Sequence, residues 1–267
     1  MRKRERLPVA LTIAGSDSGG GAGIQADLKA FAAIGVHGTS AVTCLTAQNP
    51  AEVRSVQVCR PTVLRDQIEA VLDALPPAAI KTGMLASAPL VRVVVEVLRQ
   101  RADRIPVVVD PVLIATSGAR LLPARAVRGL TEGLFPLATL ITPNLGEAEA
   151  LLGRPLVEPE DLRNAARDLR KRHGCAVLLK GGHLRGLREA VDVFWDGKQE
   201  LLLSAPRVTG VGTHGTGCTL SAAIAAFLAL GLALAEAVEK AKHHVTQAIA
   251  GSVRAGRHEV LQQFWRD

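Results

Sequence analysis

The stretch Thr213-His-Gly-Thr-Gly-Cys-Thr219 stands directly before a long apolar run, and its residue types are those of an anion hole. Glycine lets successive backbone N–H groups converge, and a helix start adds positive partial charge at the same point. Gly215, Thr216 and Gly217 are the candidates for that hole. A Gly-rich helix start with threonine as cap gives the same pattern without any ligand. No lysine follows at G-x-x-x-x-G spacing, so this is not a Walker A loop. Cys218 falls at the same helix start, where a thiol pKa tends to fall, and reads either as a reactive sulfur or as packing. His214 nearby allows a Cys–His nucleophile, but neighbours in one loop rarely reach that geometry.

Gly15-Ser-Asp-Ser-Gly-Gly-Gly-Ala-Gly23 is a second glycine-rich turn between a strand and a helix. Ile24 occupies the third glycine position of the dinucleotide fingerprint, which excludes that motif. Asp27 is expected in the first helical turn, where the helix dipole favours a carboxylate whatever its function. Asp110 ends an apolar strand, and Asn144 with Glu147 opens a helix at i, i+3 spacing on one face. Hard oxygen ligands in that pattern suit Mg²⁺ held through water, and ordinary capping by Asn144 suits it equally. Lys180 also ends an apolar strand, as a point charge for phosphate or as a lysine reaching solvent.

These residues need a scaffold, and the chain alternates strand-like with helix-like segments. Strands are expected at 9–14, 36–45, 53–58, 79–81, 106–110, 138–141 and 176–180, and a hairpin at 191–195 with 200–203. Helices are expected at 24–34, 62–75, 90–99, 124–134, 145–152 and 160–173, and helices then finish the chain. Val107-Val-Val109 and Ala176-Val-Leu-Leu179 lack alternation, as strands do when both faces of a parallel sheet are covered. The expectation is a three-layer α/β/α domain with a mostly parallel central sheet, spanning 1–267 with a frayed basic start at 1–7. Ligands of such sheets bind beyond the carboxyl ends of the strands, where Gly15, Gln48, Lys81, Asp110, Asn144 and Lys180 gather.

The chain of 267 residues has 48% apolar residues, enough for a substantial core and too many for a disordered protein. Aromatics are 3% with no Tyr, which argues against stacking platforms for single-stranded nucleic acid. The +7 net charge is scattered apart from the first six residues, so no basic stripe points to nucleic acid or a membrane surface. The four cysteines form no C-x-x-C pair, which fits a reducing cytoplasm. The apolar stretch 220–235 is Ala-rich and holds Gly231, so it reads as a buried helix rather than a membrane span.

Taken in order, several stretches strongly resemble the hydroxymethylpyrimidine/phosphomethylpyrimidine kinases of thiamine biosynthesis, in the ribokinase-like superfamily. They are 10–29, Thr46-Ala-Gln-Asn49, Lys81-Thr-Gly-Met84, Asp110-Pro-Val112, Ser117-Gly118, Thr142-Pro-Asn-Leu-Gly-Glu147, Leu179-Lys-Gly-Gly-His183, Ser204-Ala-Pro-Arg207 and 213–222. The resemblance covers roughly residues 8–250. It implies transfer of the γ-phosphoryl of ATP to a 4-amino-5-hydroxymethyl-2-methylpyrimidine, and then to its monophosphate, by a typically homodimeric enzyme. It further implies that Gln48, Asp27, Met84 and Gly15 hold the pyrimidine and that Gly215, Thr216 and Gly217 form the anion hole. Cys218 would be the general base, and Lys180, Asn144, Asp110 and Glu147 would serve ATP and Mg²⁺. Where the family carries lysines, this chain has Thr116 and the run Thr209-Gly-Val-Gly-Thr213, which bears on the second phosphorylation. Two alternatives stand beside this reading: a pyridoxal or thiazole-alcohol kinase, and a non-catalytic vitamer-binding regulator, which the missing lysines favour.

Overall fold

Strands that are apolar on both faces need cover on both faces, and two helical layers supply it. A computed structural model describes residues 6–113, 122–182, 189–208, 211–212 and 214–265. The strands are β1 (Val9–Asp17), β2 (His37–Gln48), β3 (Val53–Val58), β4 (Ala79–Thr82), β5 (Val107–Val109), β6 (Leu140–Ile141), β7 (Ala176–Lys180), β8 (Glu189–Trp195) and β9 (Glu200–Pro206). They lie in the order β3-β2-β1-β4-β5-β6-β7-β8-β9. The sheet is parallel from β2 through β7, with β3, β8 and β9 antiparallel at its edges.

The helices are α1 (Gly23–Ile34), α2 (Pro61–Ala74), α3 (Ala88–Arg101), α4 (Ala124–Gly129), α5 (Leu145–Leu152), α6 (Pro159–His173), α7 (Thr216–Ala229) and α8 (Leu234–Ala250). Successive strand residues feed opposite layers. Leu11, Val107, Val109, Ile141, Val177 and Leu179 join a core with α2 to α6. Ala10, Val108, Leu140 and Leu178 join a second core with Phe31 of α1, Ile224 of α7 and Val238 of α8. Each fully buried Leu, Ile or Val contributes roughly 1.5–3 kcal/mol of transfer free energy, so burial on both faces holds these short strands in place. The expected three-layer α/β/α architecture is therefore present.

β1 sits where the strand order reverses. The chain runs outward to β2 and β3, then returns to place β4 on the other side of β1. A crevice forms at such a switch point, beyond the carboxyl ends of the diverging strands.

Several expectations are corrected. β1 continues past Gly15 to Asp17, because an irregular step between Ala14 and Ser16 restores pairing with β2 at Asp17 and Thr46. The helix expected over 124–134 is α only to Gly129 and continues as a π turn over Leu130–Leu134. Gly129 and Gly133 there bring the backbone against Val91 and Val95 of α3. The chain does not finish in helices: β10 (Val253–Ala255) and β11 (His258–Val260) form an antiparallel hairpin after α8. The apolar stretch after Cys218 is buried in α7, and no helix among the described residues is long and apolar enough to cross a membrane.

Candidate active site

β1 delivers Gly15 and Asp17 to the crevice, and the Asp17 carboxylate organises the loop behind it. Its oxygens accept from the amides of Gly19 and Ala22, each at 2.8 Å, and of Gly21 at 3.2 Å. Burial alone would raise the Asp17 pKa, but His214 and these amides outweigh it and hold the carboxyl below its usual range. His214 Nε2 lies 3.1 Å from Asp17 Oδ2 and 3.5 Å from Gln48 Nε2. The two glycine loops thus meet through their side chains. They also meet through backbone: at Gly215, with φ of +84°, a Cβ would stand 1.7 Å from the Gly21 carbonyl oxygen. Only glycine fits there.

Gly215 is the N-cap of α7, so the start of that helix opens onto a cleft of about 580 Å³. Gly15, Gln48 and Met84 line it on the side of β1, β2 and β4. Asp110, Asn144, Glu147 and Lys180 line it on the side of β5, β6 and β7. Gly215, Thr216, Gly217 and Cys218 line it as well. A Cβ on Gly217 would lie 3.2 Å from Lys180 Nζ, so the helix start reaches across to the second group. Ser18 fixes the Gln48 backbone through both its amide and its carbonyl, and the Thr46 hydroxyl donates to Gln48 Oε1 at 3.2 Å. The Gln48 amide is held at a defined angle to the cleft.

Lys180 Nζ donates to Asp110 Oδ1 at 3.0 Å. Burial opposes the Lys180 charge, but Asp110 and Glu147 outweigh it and raise its pKa. Lys180 is therefore a largely buried cation facing the cleft, its side chain 15% exposed, rather than a lysine extended into solvent. Asn144 and Glu147 form a capping box at the start of α5: the Glu147 amide donates to Asn144 Oδ1, and the Asn144 amide to Glu147 Oε2, both at 2.9 Å. Glu147 Oε1 accepts from the Leu113 amide as well, and burial pushes its pKa up.

Asp27 departs from expectation. It lies beyond the first turn of α1, is fully buried and does not line the cleft. Lys81 Nζ donates to both its oxygens, at 2.9 and 2.8 Å, and the Thr12 hydroxyl donates at 2.6 Å. Burial works against the Lys81 charge, yet Asp27 more than compensates and raises the ammonium pKa. Lys81, unlike Asp27, lines the cleft. Cys218 departs too. The helix start does not lower its pKa: burial pushes the thiol up to about 11, against the opposing pull of Lys81. His214 is engaged with Asp17 and Gln48, which leaves the Cys–His hydrolase reading without geometric support.

Sequence reasoning did not assign roles to Asp17, Lys81, Asp192 or Lys242. Lys242 of α8 donates to Asp192 Oδ2 of β8 at 2.8 Å, and both line the cleft. Asp17 and Lys81 carried a signal, being polar residues at strand ends; Lys242 sits in a run of polar helix residues and carried none. Thr116, Ser117, Gly118, His183, Thr209, Gly210 and Thr213 lie outside the described residues.

A buried cation, a glycine-walled helix start and a positioned amide at one switch-point cleft define the class: a ribokinase-like kinase of small molecules. The chain belongs to the phosphomethylpyrimidine kinase family, whose model matches residues 17–262. It is 47% identical to the hydroxymethylpyrimidine/phosphomethylpyrimidine kinase of Synechococcus elongatus over 94% of this chain and 95% of that one. It superposes on the phosphomethylpyrimidine kinase of Clostridium difficile with a TM-score of 0.80 and 41% identity, covering 91% of this chain and 99% of the other. The ADP complex of Bacillus subtilis pyridoxal kinase gives a TM-score of 0.88 and 35% identity, over 97% of this chain and 98% of that one.

Proposed function

We propose that this chain transfers the γ-phosphoryl group of ATP to the hydroxymethyl group of 4-amino-5-hydroxymethyl-2-methylpyrimidine, and then to the monophosphate so formed. The observation that carries the reading is the single cleft with Gln48 and Met84 on one side, Lys180 on the other and the α7 start reaching between them. Gln48 offers an acceptor and a donor, which match the amino group and ring nitrogen of a 4-aminopyrimidine. Met84 supplies adaptable apolar contact, and Gly15 allows close approach of the ring. The amides of Gly215, Thr216 and Gly217 take the charge that develops on the transferred phosphoryl, and Lys180 neutralises the ATP phosphates. Cys218 accepts the hydroxyl proton. Asp27 acts through Lys81, keeping that cation in place beside the acceptor.

Mg²⁺ fits as a partner of the phosphates. Among the described residues no group of three or more His, Cys, Asp or Glu could hold a metal ion. A magnesium site that keeps waters and borrows phosphate oxygens needs only one or two carboxylates, and Asp110 with Glu147 would serve. Bound there, the ion would supply charge neutralisation to the ATP phosphates. The chain acts as one domain, as its single nine-stranded sheet supports. It works as a homodimer in the cytoplasm: Val53, Val56 and Val58 are exposed on the edge strand β3, which a second copy would cover.

A second reading, pyridoxal phosphorylation, is favoured by the close superposition on a pyridoxal kinase. Measuring ADP release with the pyrimidine alcohol, pyridoxal and the thiazole alcohol separates these outcomes. The pyrimidine is expected to give the highest kcat/KM, and Gln48→Ala to weaken its binding by about 1–3 kcal/mol. No turnover of any of the three alcohols would leave a binding protein instead.

A further inference from the structure

Lys180 faces an acidic neighbour that it does not use. In the antiparallel pairing of β7 with β8, Lys180 stands opposite Asp192. Side chains paired in this way leave the same face of the sheet with Cβ atoms about 4.5–5.5 Å apart, well within a lysine's reach. That face is the one covered by α7 and α8, since Leu178 and Phe194, two residues back along the same pairing, belong to their core. An ion pair across the two strands is the expected outcome, yet Lys180 Nζ donates to Asp110 Oδ1 at 3.0 Å instead.

The Asp192 carboxylate is occupied on both oxygens. Oδ1 accepts from the Gly181 amide at 3.0 Å, and Oδ2 accepts from Lys242 Nζ at 2.8 Å. Lys242 also donates to the Ala190 carbonyl at 3.1 Å, so it grips β8 on either side of Val191. Gly181 is pressed against that same stretch: a Cβ on it would lie 2.3 Å from the Val191 carbonyl oxygen. The side chains of Asp192 and Lys242 are 7% and 12% exposed, and both line the cleft. A charge pair so deeply placed is costly to desolvate, and two apolar side chains of like size would often serve stability as well. The pair therefore calls for a role at the cleft, and its place opposite Lys180 supplies one.

We propose that Lys242 is a positioning residue for the phosphate site: by holding the Asp192 carboxylate it denies Lys180 that partner and leaves the Lys180 ammonium at Asp110, beside the start of α7. There a Cβ on Gly217 would lie 3.2 Å from Lys180 Nζ. Without Lys242, Lys180 swings across the β7–β8 pair to the freed carboxylate. The phosphates then lose their cation, while the pyrimidine end of the cleft is untouched. The inference rests on the reading of Lys180 as the cation that serves ATP.

Titration calorimetry with AMP-PCP reads the nucleotide site whether or not an alcohol is phosphorylated. A parent protein that binds AMP-PCP but phosphorylates none of the three alcohols overturns the proposed function alone, and the variants then decide this inference. Lys242→Met is expected to weaken AMP-PCP binding at least about tenfold, the worth of a hydrogen bond to a charged group, and to leave KM for the pyrimidine alcohol within about twofold. Adding Asp192→Asn removes the competing carboxylate and keeps an acceptor for the Gly181 amide. Lys242→Met with Asp192→Asn is therefore expected to bind AMP-PCP within about threefold of the parent. Where Lys242→Met fails to fold, Lys242→Gln takes its place, because its amide still donates to Asp192 without neutralising it. A loss of at least about threefold and the same rescue are then expected. The proposal is overturned by parent-like AMP-PCP binding in the single variant or by equal weakening of nucleotide and pyrimidine. It is overturned as well by no rescue in the double variant, which would mean that Lys242 touches the nucleotide itself.

Discussion

Cys218 faces demands that oppose each other. A base must hold little proton when the acceptor hydroxyl gives one up, yet burial leaves the thiol with a pKa of about 11. At pH 7 only about one molecule in ten thousand carries the thiolate. Turnover through Cys218 is therefore expected to climb as pH rises from 7 to 9, and Cys218→Ala to lower kcat at least tenfold and flatten that slope. Cys218→Asp is expected to keep more activity than Cys218→Ala; a parent-like pH profile for the alanine variant makes Cys218 packing. Lys81 and Asp27 pose a different test. Both are fully buried, so Lys81→Met leaves a lone carboxylate and is expected to cost about 3–5 kcal/mol in denaturant unfolding. Replacing both, as Asp27→Leu with Lys81→Met, is expected to recover most of that loss. The pair was not legible beforehand: 54 residues separate its members, and only the packing of α1 over β1, with β4 paired beside β1 at Thr12 and Lys81, brings them together. Asn144 and Glu147 were legible, because a capping box is local and its i, i+3 spacing is written in the chain.

At the scale of elements, the junction of the two glycine loops is the most demanding feature. Gly215→Ala would place a methyl group against the Gly21 carbonyl and force a left-handed residue to carry a side chain. The strain is about 1–2 kcal/mol from backbone alone, and the α7 start must then withdraw from the Gly-rich loop. A fall in kcat of at least about a hundredfold is expected in steady-state assays, larger than the loss of melting stability accounts for. Buried strands were easy to read because continuous apolar runs have few other uses. The hairpin of β10 and β11 was not, since Val253, Arg254, Ala255 and His258 are all exposed and no burial pattern marks them. Its turn was the only cue: Gly256, with φ of +61°, opens a two-residue connection between Ala255 and His258.

Across the whole molecule, burial sets the pH range of stability. His244 and His173 have lowered pKa values, so below pH 6.5 the unfolded chain binds protons that the folded chain refuses. The stability these two histidines contribute is lost on acidification from about 6.5 towards 4, while the raised pKa values of Glu147 and Asp27 act the other way. Cys175 and Cys218 are raised to about 11 from 9.0, so above pH 9 the unfolded chain releases protons that the folded chain keeps. Stability is lost again from about pH 9 to 11, which leaves a plateau of Tm between 6.5 and 9. Calorimetric melts across pH 4–11 check this, and Cys175→Ala is expected to soften the alkaline limb; an unchanged limb would assign it to other groups. The contact of Asp17 with His214 spans 197 residues. A ribosome adding about 5–20 residues per second takes roughly 10–40 s to travel between them. Throughout that interval the growing chain holds its first glycine loop only by its own contacts, Asp17 with the amides of Gly19, Gly21 and Ala22 and Ser18 with Gln48, and the cleft gains its α7 wall last.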